Sequence, residues 1–229
     1  MFHWRADILP GVSAAFTDAG AGNLALHVGD DPSAVRGRRL QLEESISAAP
    51  GSLRFMNQVH GNTVAIMDAG SPAPEADAMV SRGLPLAVMV ADCIPVLLAG
   101  ESGEGPVLAA VHAGRPGIAN GVLPAAVDSM KSLGADRIRA WLGPSICGSC
   151  YEVPAALRDE VSALVPATQS TTSWGTPALD LPAGARAQLE AAGVRVEYTG
   201  ACTLETDSLY SYRRDRNTGR FAGLVWCHE

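Results

Sequence analysis

The 229-residue sequence is informative first in what it lacks. No apolar run reaches the ~20 residues that a membrane-spanning helix needs. Basic residues are not in excess: 17 Lys and Arg against 24 Asp and Glu give a net charge of −7, which argues against a general nucleic-acid or anionic-membrane binder. The opening MFHWRADILPG has neither the basic start nor the apolar stretch of a secretory signal, so a cytosolic protein is expected. No internal repeat, low-complexity tract or linker divides the chain. Cysteine is sparse and odd in number, at Cys93, Cys147, Cys150, Cys202 and Cys227. In a reducing compartment these are thiols, ligands or core residues, not a disulfide framework. Histidine is as sparse: His3, His27, His60, His112 and His228.

What is present is globular. Hydrophobic residues make up 47% and charged residues 18%. A single domain over residues 1–229 can bury roughly 70% of its unfolded surface and needs no disulfides. Short, β-branched segments bounded by Gly, Pro or Asp read as strands at 12–17, 53–59, 63–68, 86–91, 96–99, 106–111, 138–142, 194–199 and 221–227. Apolar residues at helical spacing predict helices over 33–48, 117–133, 154–165 and 182–192, with Gly134 and Gly193 as stops. Pro124 places the regular part of the second helix close to that residue. Residues 168–178 (TQSTTSWGTPA) read as a surface loop. Strands outnumber helices and do not alternate with them, which predicts an α+β fold with mixed sheets and helices packed outside.

One stretch does not read as ordinary core. AVMVADCIPVLLA (87–99) begins and ends as a buried strand but carries Asp92, Cys93 and Pro95 in its middle. Proline donates no ladder hydrogen bond, so the strand should stop or bulge near Pro95. Asp92 and Cys93 would then face a cavity. Two further segments, NQVHG (His60) and AAVHAG (His112), also end in a potential ligand beside a glycine turn. Two imidazoles and a thiolate would leave a fourth zinc position open, the catalytic arrangement. Partly buried turn histidines with a small core cysteine, or a Cys93–His112 nucleophile and base, fit the same residues. Asp77 and Asp92 are candidates to orient an imidazole, or equally to cap turns. CGSC (147–150) reads as a loop with two incidental thiols: no helix start follows it, and no second CxxC completes a four-cysteine site. SYRRDRNTGR holds Arg213, Arg214, Arg216 and Arg220, either a solvated turn or a clamp for an anion.

In order along the chain, QVHG, EADAMV, ADCIPVLL, VHAG, WLGPSI, YEV, CT and SYRRDRNTGR resemble the motifs of the YfiH-type, laccase-domain family. The likeness runs from NLALHVGDDPSAV to the last strand. The resemblance implies a single-domain α/β/β/α sandwich similar to a toxin deamidase that uses a Cys–His pair. It also implies a metal set of His60, Cys93 and His112, which are then the catalytic residues too. Gln58, Asp77, Asp92, Arg115, Arg213, Arg214 and Arg220 are the supporting or substrate-binding candidates. Where the family commonly reads HAGWRG, this chain reads HAGRPG, with Arg115 in the tryptophan position and Pro116 in the arginine position.

The family carries three labels: polyphenol oxidase, purine nucleoside phosphorylase and peptidoglycan editing factor. Five histidines without a His-x-His pair do not suit several coppers. A lone blue-copper centre would need an axial Met56 or Met89 and ranks below zinc. An open zinc site suits a purine nucleoside enzyme, and the resemblance implies phosphorolysis of adenosine, inosine and methylthioadenosine, with deamination of adenosine beside it. Arg214 or another of the C-terminal arginines is the expected phosphate contact. The alternative is a Cys93–His112 amide hydrolase acting on a cell-wall precursor. The expected partners are small molecules, with neither nucleic acid nor membrane, and the expected state is a monomer.

Overall fold

The computed structural model describes residues 1–228. In chain order the elements are β1 (Phe2–Leu9), β2 (Val12–Thr17), α1 (Pro32–Ser45), β3 (Val64–Met67), β4 (Ala78–Ser81), β5 (Leu86–Val90), β6 (Ile94–Glu101), β7 (Val107–Ala113) and α2 (Arg115–Ala119). They continue as α3 (Val122–Ser132), β8 (Asp136–Leu142), α4 (Ala155–Leu164), β9 (Gln169–Thr171), β10 (Pro177–Leu179), α5 (Leu181–Ala191), β11 (Arg195–Thr199) and β12 (Phe221–Cys227). A four-stranded antiparallel sheet has the order β1-β2-β12-β5, and a six-stranded mixed sheet the order β11-β8-β6-β7-β4-β3. Parallel pairing is confined to the two edges of the larger sheet, β3 with β4 and β11 with β8.

The strand period of two assigns each side chain to a layer. On β6, Leu97 and Ala99 meet Phe16, Val88 and Phe221 between the sheets, while Val96 and Leu98 join Val122, Val127 and Leu189 on the helical side. On β12, Phe221 and Val225 point between the sheets, and Leu224 and Trp226 pack outward on Leu42 of α1 and on Ile46 at its C-terminal cap. Three apolar layers therefore separate α1, the smaller sheet, the larger sheet and the remaining helices. This is the expected α/β/β/α sandwich with mixed sheets.

The departures have local causes. Residues 87–99 are two strands in different sheets, and the break falls at residues 91–93, before Pro95. Pro95 is the second residue of β6; its carbonyl accepts from the Gly143 N–H (2.8 Å) just past the end of β8. The bond Pro95 cannot donate is thus the last of that ladder. The expected 117–133 helix is two helices, parted at Asn120–Gly121, where Gly121 has φ +77°. Pro124 lies in the first turn of α3, where no N–H is needed. Residues 53–59 form only single bridges, Arg54 to Leu86 and Asn57 to Glu75. There the Gln58 amide takes the place of a strand, donating to the Met89 carbonyl (2.7 Å) and accepting from its N–H (3.0 Å). Edge strand β1 escapes the pattern because its outer half is only partly buried. The β9–β10 hairpin falls, but for Leu179, in the segment read as a loop.

Glu43 on α1 is 3% exposed and accepts from the Gly51 and Leu53 N–H groups, both at 2.8 Å. Glu43→Ala strands both donors and should cost about 2 kcal/mol or more in urea unfolding. Glu43→Gln, which keeps an acceptor oxygen, should lose less.

Candidate metal centre

Three segments bring His60, Cys93 and His112 together. His112 is the sixth residue of β7, paired with Pro95. Cys93 lies on the crossover between the sheets, directly before β6. His60 comes from the loop before β3 and has φ +61°; Asp92 has φ +82°. Both are left-handed non-glycine residues, a conformation that persists only where the surroundings over-determine it.

Those surroundings are two carboxylates. Asp77 is fully buried and accepts from the backbone N–H groups of Val59 (3.3 Å), His60 (2.9 Å) and Gly61 (2.6 Å), and from His112 Nδ1 (2.8 Å). The imidazole contact fixes the His112 tautomer and leaves Nε2 free for a ligand. Burial would raise the Asp77 carboxyl, but the His112 contact and the N–H donors outweigh it and hold it below the usual range. Asp92 hydrogen-bonds neither imidazole. Its Oδ1 accepts from Thr203 Oγ1 and its Oδ2 from the Arg213 N–H, both at 2.6 Å, so it anchors the C-terminal segment to the crossover.

The donor atoms of His60, Cys93 and His112 lie within 4.8 Å of one another, with Cys93 Sγ 3.9 Å from His60 Nε2. A β-carbon on Gly114 would fall 3.2 Å from Cys93 Sγ and 3.0 Å from His60 Cδ2, so glycine leaves the space the cluster occupies. His112 is 3% exposed, Cys93 half-buried and His60 exposed, giving a closed floor and an open mouth. Burial works against charge on Cys93, yet the neighbouring His112 charge and the hydrogen bonds from His112 and His60 lower the thiol to about 6. Burial likewise disfavours charge on His112, and the Cys93 thiolate with the Asp77 carboxylate overcomes it, raising the imidazole to about 9. Each group thus favours the charged form of the other. Two imidazoles and a soft thiolate at this spacing are donors for zinc or copper.

The cluster forms part of the wall of a cavity of about 810 Å³. Arg115, Arg213, Arg216 and Arg220 line it, as does Gln58 through its clamp on Met89. The Arg213 guanidinium lies 5.2 Å from the centre of the Tyr151 ring, and the Arg115 charge acts on the same tyrosine. Arg214 is not among the lining residues. Its guanidinium donates to the carbonyls of Thr203 (3.0 Å), Leu204 (3.1 Å), Thr206 (3.3 Å) and Leu209, which makes it a structural brace. His27, Tyr151 and Tyr212 also line the cavity, and the sequence reading did not single them out. Burial, then Arg220 and Arg39, push His27 below its usual range. Met56 is core, while Met89 reaches the cavity.

The sequence profile of the multi-copper polyphenol oxidoreductase laccase family matches residues 5–228. This chain belongs to that family. Within it, the purine nucleoside phosphorylases of Streptomyces coelicolor and Streptomyces griseus are 50% and 47% identical to this laccase-family chain, covering 97% and 98% of it and 98% of each relative. Two crystal structures share its fold at a TM-score of 0.84. One is a Neisseria meningitidis protein, 33% identical over 99% of both chains. The other is YlmD of Geobacillus stearothermophilus, 28% identical over 96% of this chain and 93% of that one.

In metal-free protein, alkylation of Cys93 by iodoacetamide should reach half its maximal rate near pH 6, as the lowered thiol requires. Asp77→Asn removes the charge that supports the imidazolium and should move that midpoint upward. A wild-type midpoint at the ordinary thiol value near 9 would contradict the ion pair.

Proposed function

We propose that this protein is a purine nucleoside phosphorylase whose His60, Cys93 and His112 hold a zinc ion and act as its catalytic centre. The supporting observation is that an open His–Cys–His set shares one cavity with four guanidinium groups. The relatives named purine nucleoside phosphorylase point to the same reaction class. Zinc is favoured over several coppers because only two of the five histidines, among the described residues, fall in a ligand cluster. A divalent ion there would supply Lewis acidity and stabilise negative charge on a bound group.

The remaining work falls to the chain itself. Arg213, Arg216 and Arg220 offer charge-assisted donors to phosphate, and Arg115 can join them from the first turn of α2. Tyr151 presents an aromatic surface beside the thiolate. A phosphate oxygen attacks C1′ as the C1′–N9 bond breaks, and the purine leaves with that electron pair and takes up the proton that the hydrogen phosphate gives up, giving free base and sugar 1-phosphate. We assign adenosine, inosine and methylthioadenosine as substrates. Deamination of adenosine would run in the same cavity, water adding at C6 and ammonia leaving. Arg214 takes no part in phosphate binding in this scheme, and Arg213 and Arg220 replace it.

A second reading rests on the thiolate–imidazolium pair. Cys93 activated by His112 could cleave an amide of a cell-wall precursor. The two readings separate cleanly. Metal-analysed protein incubated with adenosine should yield adenine only when phosphate is present, and inosine without it. Chelation or Cys93→Ser should abolish both. Arg213→Ala should raise the Michaelis constant for phosphate about tenfold or more, consistent with loss of one charge-assisted contact. Amide hydrolysis that survives chelation and is lost on alkylation, with no nucleoside turnover, would favour the second reading.

A further inference from the structure

The fold completes a ligand cluster that the sequence shows only in part. CGSC contributes Cys147 and Cys150 from the segment after β8, and Cys202 arrives from the segment after β11. With Glu205, their donor atoms all lie within 4.8 Å of one another. We propose that Cys147, Cys150, Cys202 and Glu205 form a second, structural zinc site, separate from His60, Cys93 and His112.

The geometry is close to closing. In a tetrahedral site with Zn–S bonds of about 2.3 Å, sulfurs stand about 3.8 Å apart. Ligands already within 4.8 Å need only small side-chain shifts to reach that spacing. The backbone supporting them is fixed in register: the Ser145 N–H donates to the Ala201 carbonyl (3.1 Å), and the Thr203 N–H to the Ser145 carbonyl (3.0 Å). The Cys147 N–H points at Cys202 Sγ (3.4 Å), a contact that favours a thiolate there. Cys150 closes the turn by donating its N–H to the Cys147 carbonyl (3.0 Å), which keeps both sulfurs of CGSC on one side. A β-carbon on Gly148 would meet Asp180 Cβ at 2.6 Å, so this turn is packed against the cap of α5.

The donor chemistry selects the ion. Three thiolates favour zinc over magnesium or calcium, and a carboxylate in the fourth position leaves no place for substrate. Each thiol releases its proton to solvent on binding. The surroundings do not match a redox CxxC, which sits at a helix N-terminus. Here the motif lies on a turn, and α4 starts only at Ala155. The site would tie the 200–206 segment to the end of β8. That segment carries Thr203, which holds Asp92, and three of the carbonyls that brace Arg214. A zinc ion at this point would therefore stiffen the cavity wall from behind.

The proposal does not depend on zinc at the first centre, and the test keeps the two apart. Wild-type protein produced with zinc and reductant should carry two equivalents by elemental analysis if both sites fill. His60→Ala/Cys93→Ala should retain one equivalent. Adding Cys202→Ser should remove it and lower the melting temperature. Cobalt added to the metal-free double variant should give the near-ultraviolet charge-transfer band of a multi-thiolate site. Should the triple variant not fold, alkylation mapping of wild-type protein decides: Cys147, Cys150 and Cys202 should be protected by zinc and exposed by a chelator. A folded double variant without zinc, or thiols alkylated equally with and without zinc, would overturn the proposal. So would a disulfide among these three cysteines in the freshly isolated protein.

Discussion

The candidate centre depends on one buried carboxylate. Asp77 has no solvent exposure and spends its oxygens on three consecutive backbone N–H groups and one imidazole. A carboxylate that deep costs several kcal/mol in lost hydration unless such donors replace the water. The same donors do the positioning. The N–H contacts hold the His60 loop in its left-handed turn, and the Nδ1 contact turns His112 so that its other nitrogen is free. One residue directly before β4 thereby aligns an imidazole from a loop with one from a neighbouring strand. The Asp77 carbonyl also accepts from the His112 N–H (2.7 Å), so strand pairing and side chain act at the same point.

Cys93 is placed by a different constraint. The chain must cross from the smaller sheet to the larger one between Val90 and Ile94, leaving three residues for the crossing. So short a link cannot follow either sheet, and Asp92 takes up the bend with a positive φ. Its side chain, freed from pairing, binds Thr203 and the Arg213 N–H. The crossover thus aims Cys93 at the two imidazoles and, through Asp92, draws the arginine-bearing segment over the cavity. The His–Cys–His cluster and the arginine-bearing segment meet because one tight connection serves both.

Much of this was legible in the sequence, for reasons that can be named. Strand-length runs of Val, Leu and Ala marked β5, β6, β7 and β12 because both faces of each are buried. His60, Cys93 and His112 stood out because each interrupts such a run beside Gly or Pro. The break in the 117–133 helix was hidden because its apolar stripe continues into α3 while the chain turns at Gly121. The role of Gln58 was also hidden, since an amide that mimics a strand leaves no periodic trace. Among the C-terminal arginines, composition left a solvated turn and an anion clamp both open, and did not say which guanidinium groups face a cavity. Arg214 lies next to Arg213 and points instead into a set of carbonyls, a choice that tertiary packing alone decides.

Cys202 carries the same lesson further. CGSC by itself offers two sulfurs, too few for a closed zinc site, and the third ligand lies far along the chain. It joins them only because β11 runs parallel to β8, so both strands deliver their following segments to the same end of the sheet. The single bridge between Ser145 and Cys202 continues that pairing past the last strand residues. A parallel pair is costly to close in sequence distance, and its loops share no local turn to hold them. A metal clip across those two loops would supply that missing restraint at the place where the strands release the chain. The cavity wall that carries Thr203 and the Arg214 brace begins one residue beyond.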